Sequence, residues 1–206
     1  MHRLIPISLM VFTGTAALKS REPVIGRPAP DFTARDTRGN AQHLAAYRGK
    51  WVVLEWFSHA CPYTAKQYTT GNMQRLQKTY TAKGVVWLSI VSSAPGREGF
   101  TTTARANELT TEKGAAPNAV IRDTAGTIGH LYDARNTPQL FVIDPQGTLV
   151  YAGAIDDKRT SDTADVAKAH NYVSAALDES LAGRPVSVSL TQPYGCTVQY
   201  DNPGNP

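Results

Sequence analysis

The sequence predicts an α/β fold in which a mixed central sheet is flanked by helices and preceded by an N-terminal hairpin. Two apolar runs, at 51–57 and 85–91, have the length and composition of buried strands. Segments with helical periodicity follow them, so strands and helices alternate along the chain. A turn-forming segment at 144–147 then separates two further strand-like segments. Strands that alternate with helices and finish in a hairpin favour a sheet with both faces covered.

Composition and charge limit the classes of protein to consider. With 206 residues, 41% of them hydrophobic and 18% charged, the chain is suited to one compact domain with modest extensions. Its net charge of +4 comes from 21 basic and 17 acidic residues that form no Lys or Arg run, which argues against nucleic acid as a partner. Its two cysteines lie far apart in the sequence and match no zinc-ligand spacing, so we expect no metal site.

The two ends of the chain differ in character from the rest. Residues 1–20 begin with positive charge, continue with an apolar stretch and contain small residues at 14–17, which is the pattern of a secretory signal. We therefore expect a periplasmic or secreted protein; the alternative is an uncleaved extension on a cytoplasmic one. Residues 21–183 form the predicted main domain, and residues 184–206 form a C-terminal tail. No other segment has the ~20 apolar residues that a membrane span needs, so we expect no membrane association after processing.

The first half of the main domain is predicted to contain the hairpin and a β-α-β unit. Turn-forming residues at 36–40 separate two short extended pieces, which predicts the hairpin. A helix over 62–80, with a kink at Gly71, then connects the strand at 51–57 to the strand at 85–91. The polar positions of this helix are Lys66, Gln67, Gln74, Arg75 and Lys78.

The second half is predicted to contain a helix, a strand, a few helical turns, a hairpin and a long helix. These elements cover, in order, 101–113, 118–122, 124–132, the hairpin strands 140–143 and 148–152, and 163–181. The hairpin turn is favoured because Pro145 presets φ and Gly147 accepts a positive φ. Gly183 and Pro185 end the last helix.

Cys61 is the candidate nucleophile, because it lies directly after a buried strand and directly before Pro62. Proline is best tolerated in the first turn of a helix, so this cysteine is expected at a helix N-terminus. Unpaired backbone N–H groups and the helix dipole favour the thiolate there, and such sites commonly have pKa values between about 3.5 and 7.5. The alternative is a small buried cysteine that packs inertly.

Four segments, in this order, resemble those of a known family. They are Ala29-Pro30-Asp31-Phe32, the strand leading to Cys61-Pro62, the Thr137-Pro138 step before Phe141-Val142-Ile143-Asp144-Pro145-Gln146-Gly147, and Tyr151-Ala152-Gly153-Ala154-Ile155-Asp156-Asp157. From around Gly26 to around Tyr200 the chain resembles the thioredoxin superfamily, in its peroxiredoxin-like branch of alkyl hydroperoxide reductase C/thiol-specific antioxidant (redoxin) proteins. The resemblance implies a thioredoxin-like fold and a thiol-dependent oxidoreductase that needs no metal or organic cofactor.

The resemblance assigns roles to residues around Cys61. It implies a cis proline at Pro138, after Thr137, beside the nucleophile, where the backbone docks a substrate strand; the local sequence also fits an ordinary turn proline. Thr64 stands where thioredoxins have their second cysteine, so a disulfide within this motif is impossible, but its hydroxyl can contact the thiolate. Ser58 stands where peroxiredoxins have a threonine and can donate a hydrogen bond to a peroxide.

Other residues near the nucleophile have open or indirect roles. His59 can lower the pKa of the thiol as a cation or exchange protons with a leaving thiol, or it can simply face solvent. Glu55 is the one charge in the central strand; it is either a proton acceptor like the buried acid of thioredoxins or an outward-facing side chain. Pro62 and Tyr63 are expected to line the substrate site by adjacency.

Cys196 is the second candidate for thiol chemistry. The segment 193–198 is apolar enough to pack, and Gly195 permits a close backbone approach. We expect Cys61 to oxidise to a sulfenic acid or a mixed disulfide, which Cys196 resolves as a disulfide within or between chains. The alternatives are a static structural bridge and no bridge.

The leading hypothesis is a peroxiredoxin-like thiol oxidoreductase, in which Cys61 attacks a peroxide or a disulfide and an external thiol restores it. A homodimer is one assembly that this hypothesis allows. Leu54 stands where peroxiredoxins have a proline, which weighs against peroxidase activity. One alternative is thiol-disulfide exchange of the thioredoxin type. The other is a redox-inert thioredoxin-fold binding module, in which Cys61 is tied to Cys196.

Overall fold

The computed structural model describes residues 23–201 of the chain. The signal-like segment predicted at 1–20 therefore lies outside the described residues, as do residues 202–206. Within the described part, no helix is long and apolar enough to cross a membrane.

The fold is built on a five-stranded mixed sheet. In chain order, the strands of the described part are β1 (Thr33–Arg35), β2 (Ala41–His43), β3 (Val52–Trp56), β4 (Val86–Val91), β5 (Ala119–Arg122), β6 (Asn136–Thr137), β7 (Gln139–Ile143), β8 (Leu149–Gly153) and β9 (Cys196–Thr197). The central sheet has the order β5-β4-β3-β7-β8, with β3, β4 and β5 parallel and β7 antiparallel to both β3 and β8. The mixed sheet is confirmed, and β1 pairs with β2 as the predicted hairpin.

Helices cover both faces of this sheet. The α-helices are α1 (Pro62–Thr69), α2 (Asn72–Ala82), α3 (Thr103–Glu112), α4 (Thr127–Leu131) and α5 (Tyr172–Leu181), and two short 3-10 helices cover Leu44–Tyr47 and Thr163–Lys168. Leu76 of α2 and Leu177 of α5 belong to one apolar cluster, whereas Ile128 of α4 belongs to the cluster on the opposite face. The sheet is therefore buried on both sides, as its continuous apolar strands predict.

Two predicted helices are each divided in the structure. The prediction of one kinked helix over 62–80 is wrong: Gly71 has a left-handed backbone (φ 74°), so α1 ends before it and α2 begins after it. The prediction of one long helix over 163–181 is also wrong, because a 3-10 helix comes first and α5 begins separately. The side chain of Asn171 caps α5 by accepting a hydrogen bond from Ser174 N at 2.8 Å.

Strand β3 is packed on both faces, and this fixes the residues that follow it. Val52, Leu54 and Trp56 belong to one apolar cluster, whereas Val53 belongs to the other. Trp56 packs edge-on against Phe141 with ring centroids 5.2 Å apart. Burying one large apolar side chain contributes roughly 1.5–3 kcal/mol. The packing of β3 therefore fixes the position of the turn that follows it and contains Cys61.

Glu55 is the exception in this apolar strand, and it is fully buried. Its carboxylate accepts hydrogen bonds from Tyr68 Oη (2.7 Å), Gln77 Nε2 (3.0 Å), Trp87 Nε1 (2.7 Å) and Ser89 Oγ (2.8 Å). Burial raises the pKa of Glu55 and outweighs these four donors, which act in the opposite direction. The alternative of an outward-facing side chain is therefore wrong.

Replacing Glu55 with glutamine is expected to remove a pH dependence of stability. A carboxyl with a raised pKa binds its proton more tightly in the folded state, so the protein loses stability as pH rises above the ordinary value of 4.5 towards the raised one. Glu55→Gln cannot ionise here, so its free energy of unfolding falls less over that pH range. Urea unfolding at a series of pH values measures both proteins, and equal pH slopes would contradict the expectation.

Candidate active site around Cys61

Cys61 lies between the end of β3 and the start of α1, as the sequence predicts. It is the N-cap of α1, with an extended backbone (φ −82°, ψ 122°), and Pro62 is the first helical residue. Its carbonyl accepts a helical hydrogen bond from Ala65 N at 2.8 Å. The cysteine is thus held at the end of the helix where backbone N–H groups are unpaired and the dipole is positive.

The Cys61 side chain is buried, but its immediate neighbours are polar. The residue is 2% exposed, and its thiol donates a hydrogen bond to the Thr137 carbonyl at 3.0 Å. The peptide bond between Thr137 and Pro138 is cis, as predicted. Thr137 pairs with Cys196 in the small sheet of β6 and β9, which brings the Cys196 thiol into hydrogen-bond contact with the Cys61 sulfur. The two cysteines are therefore neighbours, and both are free thiols.

The two thiols differ in acidity. Burial opposes ionisation of Cys61, but interactions that favour the thiolate, with the Cys196 thiol, the Thr137 side chain and the Thr64 backbone, outweigh it. The pKa of Cys61 is lowered as a result. Burial, together with the neighbouring Cys61, raises the pKa of Cys196 to about 12. Cys61 is therefore the thiol that ionises, while Cys196 keeps its proton and donates it towards the thiolate.

One buried hydroxyl at this site is left without a hydrogen-bond partner within residues 23–201. It is Oγ1 of Thr64, a residue that is 1% exposed. Leaving a buried hydroxyl unpaired costs roughly 1–3 kcal/mol. The backbone of Thr64 also interacts with the Cys61 sulfur.

Neither Ser58 nor His59 has a side-chain hydrogen bond with Cys61 in the described structure. The Ser58 carbonyl accepts from Cys61 N at 3.3 Å, while its hydroxyl lies against Gly99. The Nδ1 atom of His59 is buried without a partner among the described residues, and burial, reinforced by nearby basic side chains, lowers the pKa of His59. A neutral His59 cannot stabilise a thiolate as a cation. Within 23–201, no group of three or more His, Cys, Asp or Glu side chains could hold a metal ion.

The tail approaches the site closely through Gly195 and Tyr63. Gly195 has φ 119°, and a Cβ atom there would lie 2.1 Å from the Thr137 carbonyl oxygen, so only glycine permits this contact. The Tyr63 ring packs edge-on against Tyr194 with centroids 5.9 Å apart. Pro62 is exposed at the start of α1. Tyr63, which was expected to line the substrate site, therefore contacts the tail of its own chain.

A buried polar network also anchors the tail, and sequence reasoning missed it. Asp156, which is 1% exposed, accepts hydrogen bonds from Gln67 Nε2 (2.7 Å), from Tyr194 Oη and from the backbone N–H of Lys158 (2.9 Å). Lys66 Nζ lies 3.9 Å from Asp156 Oδ1 and donates to the Lys158 carbonyl at 2.8 Å. The polar positions of α1 are thus buried at Lys66 and Gln67, where the segment after β8 covers them.

Comparison with known sequences shows the family of the chain. Residues 25–152 match the model of the AhpC/TSA family. Over 42 residues, or 20% of the chain, the sequence is 57% identical to peroxiredoxin 2 of Caldanaerobacter subterraneus subsp. tengcongensis. The matched stretch is 18% of that protein, so the chain spans less than a fifth of the length of this curated relative.

Solved structures with a similar backbone show the fold. An uncharacterized conserved protein from Geobacillus kaustophilus matches with a TM-score of 0.74 and 24% identity, covering 88% of this chain and 94% of that one. A putative thiol:disulfide interchange protein DsbE from Chlorobium tepidum matches with a TM-score of 0.53 and 24% identity, covering 64% and 85% of the two chains. The fold is thioredoxin-like. Because the family model covers more than half of its length, the chain belongs to the AhpC/TSA (redoxin) family.

Proposed function

We propose that this protein is a thiol-dependent oxidoreductase in which Cys61 is the nucleophile and Cys196 resolves its oxidised form as a disulfide within the same chain. The observation that carries the proposal is the pairing of Thr137 with Cys196, which brings a high-pKa thiol to the sulfur of a low-pKa one. A thiolate next to a protonated thiol is the arrangement that oxidation followed by resolution requires. An inert binding module needs no such difference in acidity.

The leading substrate is a peroxide. The Cys61 thiolate attacks one peroxide oxygen, the O–O bond breaks as an S–O bond forms, and the leaving oxygen takes a proton to give an alcohol or water. The sulfur is then a sulfenic acid. The Thr64 hydroxyl, which is buried and unpaired among residues 23–201, supplies a donor for its oxygen. This supports a peroxide over a substrate that adds no oxygen.

Resolution and recycling complete the cycle. The Cys196 sulfur attacks the Cys61 sulfur, the S–O bond breaks, and the departing hydroxide combines with the Cys196 proton to form water. Two equivalents of an external thiol then reduce the disulfide, restore both cysteines and leave as their own disulfide. Because Cys196 already contacts Cys61 of its own chain, we propose no second copy for this step.

Disulfide exchange is the second candidate function. The cis bond before Pro138 and the polar backbone edge at Thr137 support it, since both lie beside the nucleophile. In this version the Cys61 thiolate attacks a substrate disulfide, and Cys196 then releases the substrate thiol from the mixed disulfide. Export of the protein, which residues 1–20 suggest, also remains part of the proposal, since an oxidising compartment preserves a Cys61–Cys196 disulfide.

The acidity of Cys61 provides the first test. The rate at which iodoacetamide alkylates Cys61 is expected to rise with a midpoint below the ordinary thiol value of 9.0, because its thiolate is stabilised by hydrogen bonds. Cys196→Ala removes one of these donors, so the midpoint is expected to move upwards. Quenched samples analysed by peptide mass spectrometry measure the rate at Cys61, and Cys61→Ser controls for labelling elsewhere. A midpoint at or above 9.0 in the unmodified protein would rule out the activated nucleophile.

The product of oxidation provides the second test. One equivalent of hydrogen peroxide is expected to convert the reduced protein to a Cys61–Cys196 disulfide, seen by mass spectrometry as the loss of two hydrogens and of both thiols. In Cys196→Ser, the sulfenic acid at Cys61 is expected to persist and to be trapped by dimedone. Turnover with an external thiol should fall by at least about tenfold. Without Cys196, no Cys61–Cys196 disulfide forms, so the external thiol has to reduce the buried sulfenic acid directly. A variant that recycles as fast as the parent protein would remove Cys196 from the mechanism.

A further inference from the structure

The strap, which we define as residues 193–201, covers the nucleophile of its own chain. Strand β9 pairs with β6 at the register Thr137 to Cys196, and Val198 N donates to the Arg135 carbonyl at 2.9 Å. The Asn136 side chain adds a hydrogen bond to the Gly195 carbonyl at 3.1 Å. The backbone edge beside Cys61 is thus paired with the strap along its length, and Cys61 is left 2% exposed.

We propose that the strap is a size-selective gate, which admits small oxidants to Cys61 and excludes folded proteins that carry a disulfide. The proposal rests on the function proposed above and decides between its two candidate substrates. When a protein disulfide reacts, the polypeptide on both sides of the substrate cysteine must fit next to Cys61. An extended segment of this kind docks most readily by adding to a free strand edge. That edge is occupied here, so a protein substrate must first displace the strap. A peroxide has no such requirement.

The strap is held by a short strand, by the buried side chain of Val198, by a hydrogen bond from Ala94 N to the Gln199 carbonyl and by contacts at its two ends. Its strand is two residues long, and a pair of such short strands is weakly stable by itself. The segment before it leaves Val188 42% and Leu190 68% exposed, while its backbone is hydrogen-bonded to Ala152 of β8. At the far end, Tyr200 Oη donates to the Ala134 carbonyl at 2.6 Å, and its ring stacks on His130. The near end is held by Tyr194.

Tyr194 acts as the latch of this gate. Its hydroxyl donates to the buried carboxylate of Asp156, which is fixed in turn by Gln67 and by the Lys158 backbone. Removing the hydroxyl leaves Asp156 with these partners and with Lys66 at 3.9 Å, so no buried charge is stranded. The ring contact with Tyr63 is also retained. Tyr194→Phe therefore weakens the latch and little else.

The test compares large and small reagents on the reduced full-length protein. Iodoacetamide and a polyethylene glycol maleimide report physical access to Cys61, while hydrogen peroxide and insulin, a small protein with disulfides, report reaction. Tyr194→Phe is expected to raise the rates with the maleimide and with insulin by about tenfold, the effect of one hydrogen bond to a charged acceptor. The rates with iodoacetamide and with hydrogen peroxide, both measured as loss of the Cys61 thiol, should differ far less between Tyr194→Phe and the parent protein.

Two further variants make the outcome decisive. Tyr80→Phe is the matched control, since Tyr80 also donates to an aspartate, at 3.0 Å to Asp178 of α5, and has no hydrogen bond with the strap among the described residues; it should leave the size preference unchanged. Gly195→Ala puts a methyl group against the Thr137 carbonyl and should open the gate further. If Tyr194→Phe and Gly195→Ala leave the ratio of large to small reagent unchanged, the gate is overturned. If the alkylation ratio shifts but neither oxidant consumes the thiol, the gate stands and the proposed function fails.

Discussion

The pairing of two short strands, β6 and β9, is the interaction on which the rest of the site depends. It joins the segment before the cis proline to the last part of the chain, and it does so directly over the sulfur of Cys61. This pairing places three things at the Cys61 sulfur. They are the Thr137 carbonyl that accepts its proton, the second thiol at Cys196, and the tail segment that shields it from solvent. Gly195 makes it feasible, because any side chain there would collide with the Thr137 carbonyl.

The acidity of the nucleophile follows from how this cover is built. Burial alone makes a thiolate less favourable, and the lowered pKa of Cys61 shows that the polar groups more than offset it. The largest of these contributions come from a thiol, a threonine and backbone N–H groups, all of them neutral, while the pKa of His59 is itself lowered by burial. Activation by neutral donors ties reactivity to the position of the tail, since Cys196 is one of the donors. A loosened tail therefore alters the chemistry as well as the access.

Local patterns predicted most of the framework and the nucleophile. Cys61 before Pro62, the strand ahead of it and the hairpin at 144–147 each depend on residues close together in the sequence, so local preferences identify them. Gly71 was visible as a weak point, but whether it kinks or ends a helix depends on tertiary packing. The burial of Lys66 depends on a loop far along the chain. The adjacent Asp156 and Asp157 after β8 were the one sign in the sequence that this loop needs a polar partner. The β6–β9 pairing joins two dipeptides, too short for any periodicity to show.

The most direct measurement is the rate at which the Cys61–Cys196 disulfide forms after a rapid pulse of peroxide, followed by acid quench and mass spectrometry over a range of protein concentrations. The structure has both thiols in contact within one chain, so resolution should be first order, with a rate constant that does not depend on protein concentration. The disulfide should link two peptides of a single monomer. A rate that increases with protein concentration, or a disulfide found only between chains, would contradict the intrachain arrangement of nucleophile and resolving thiol.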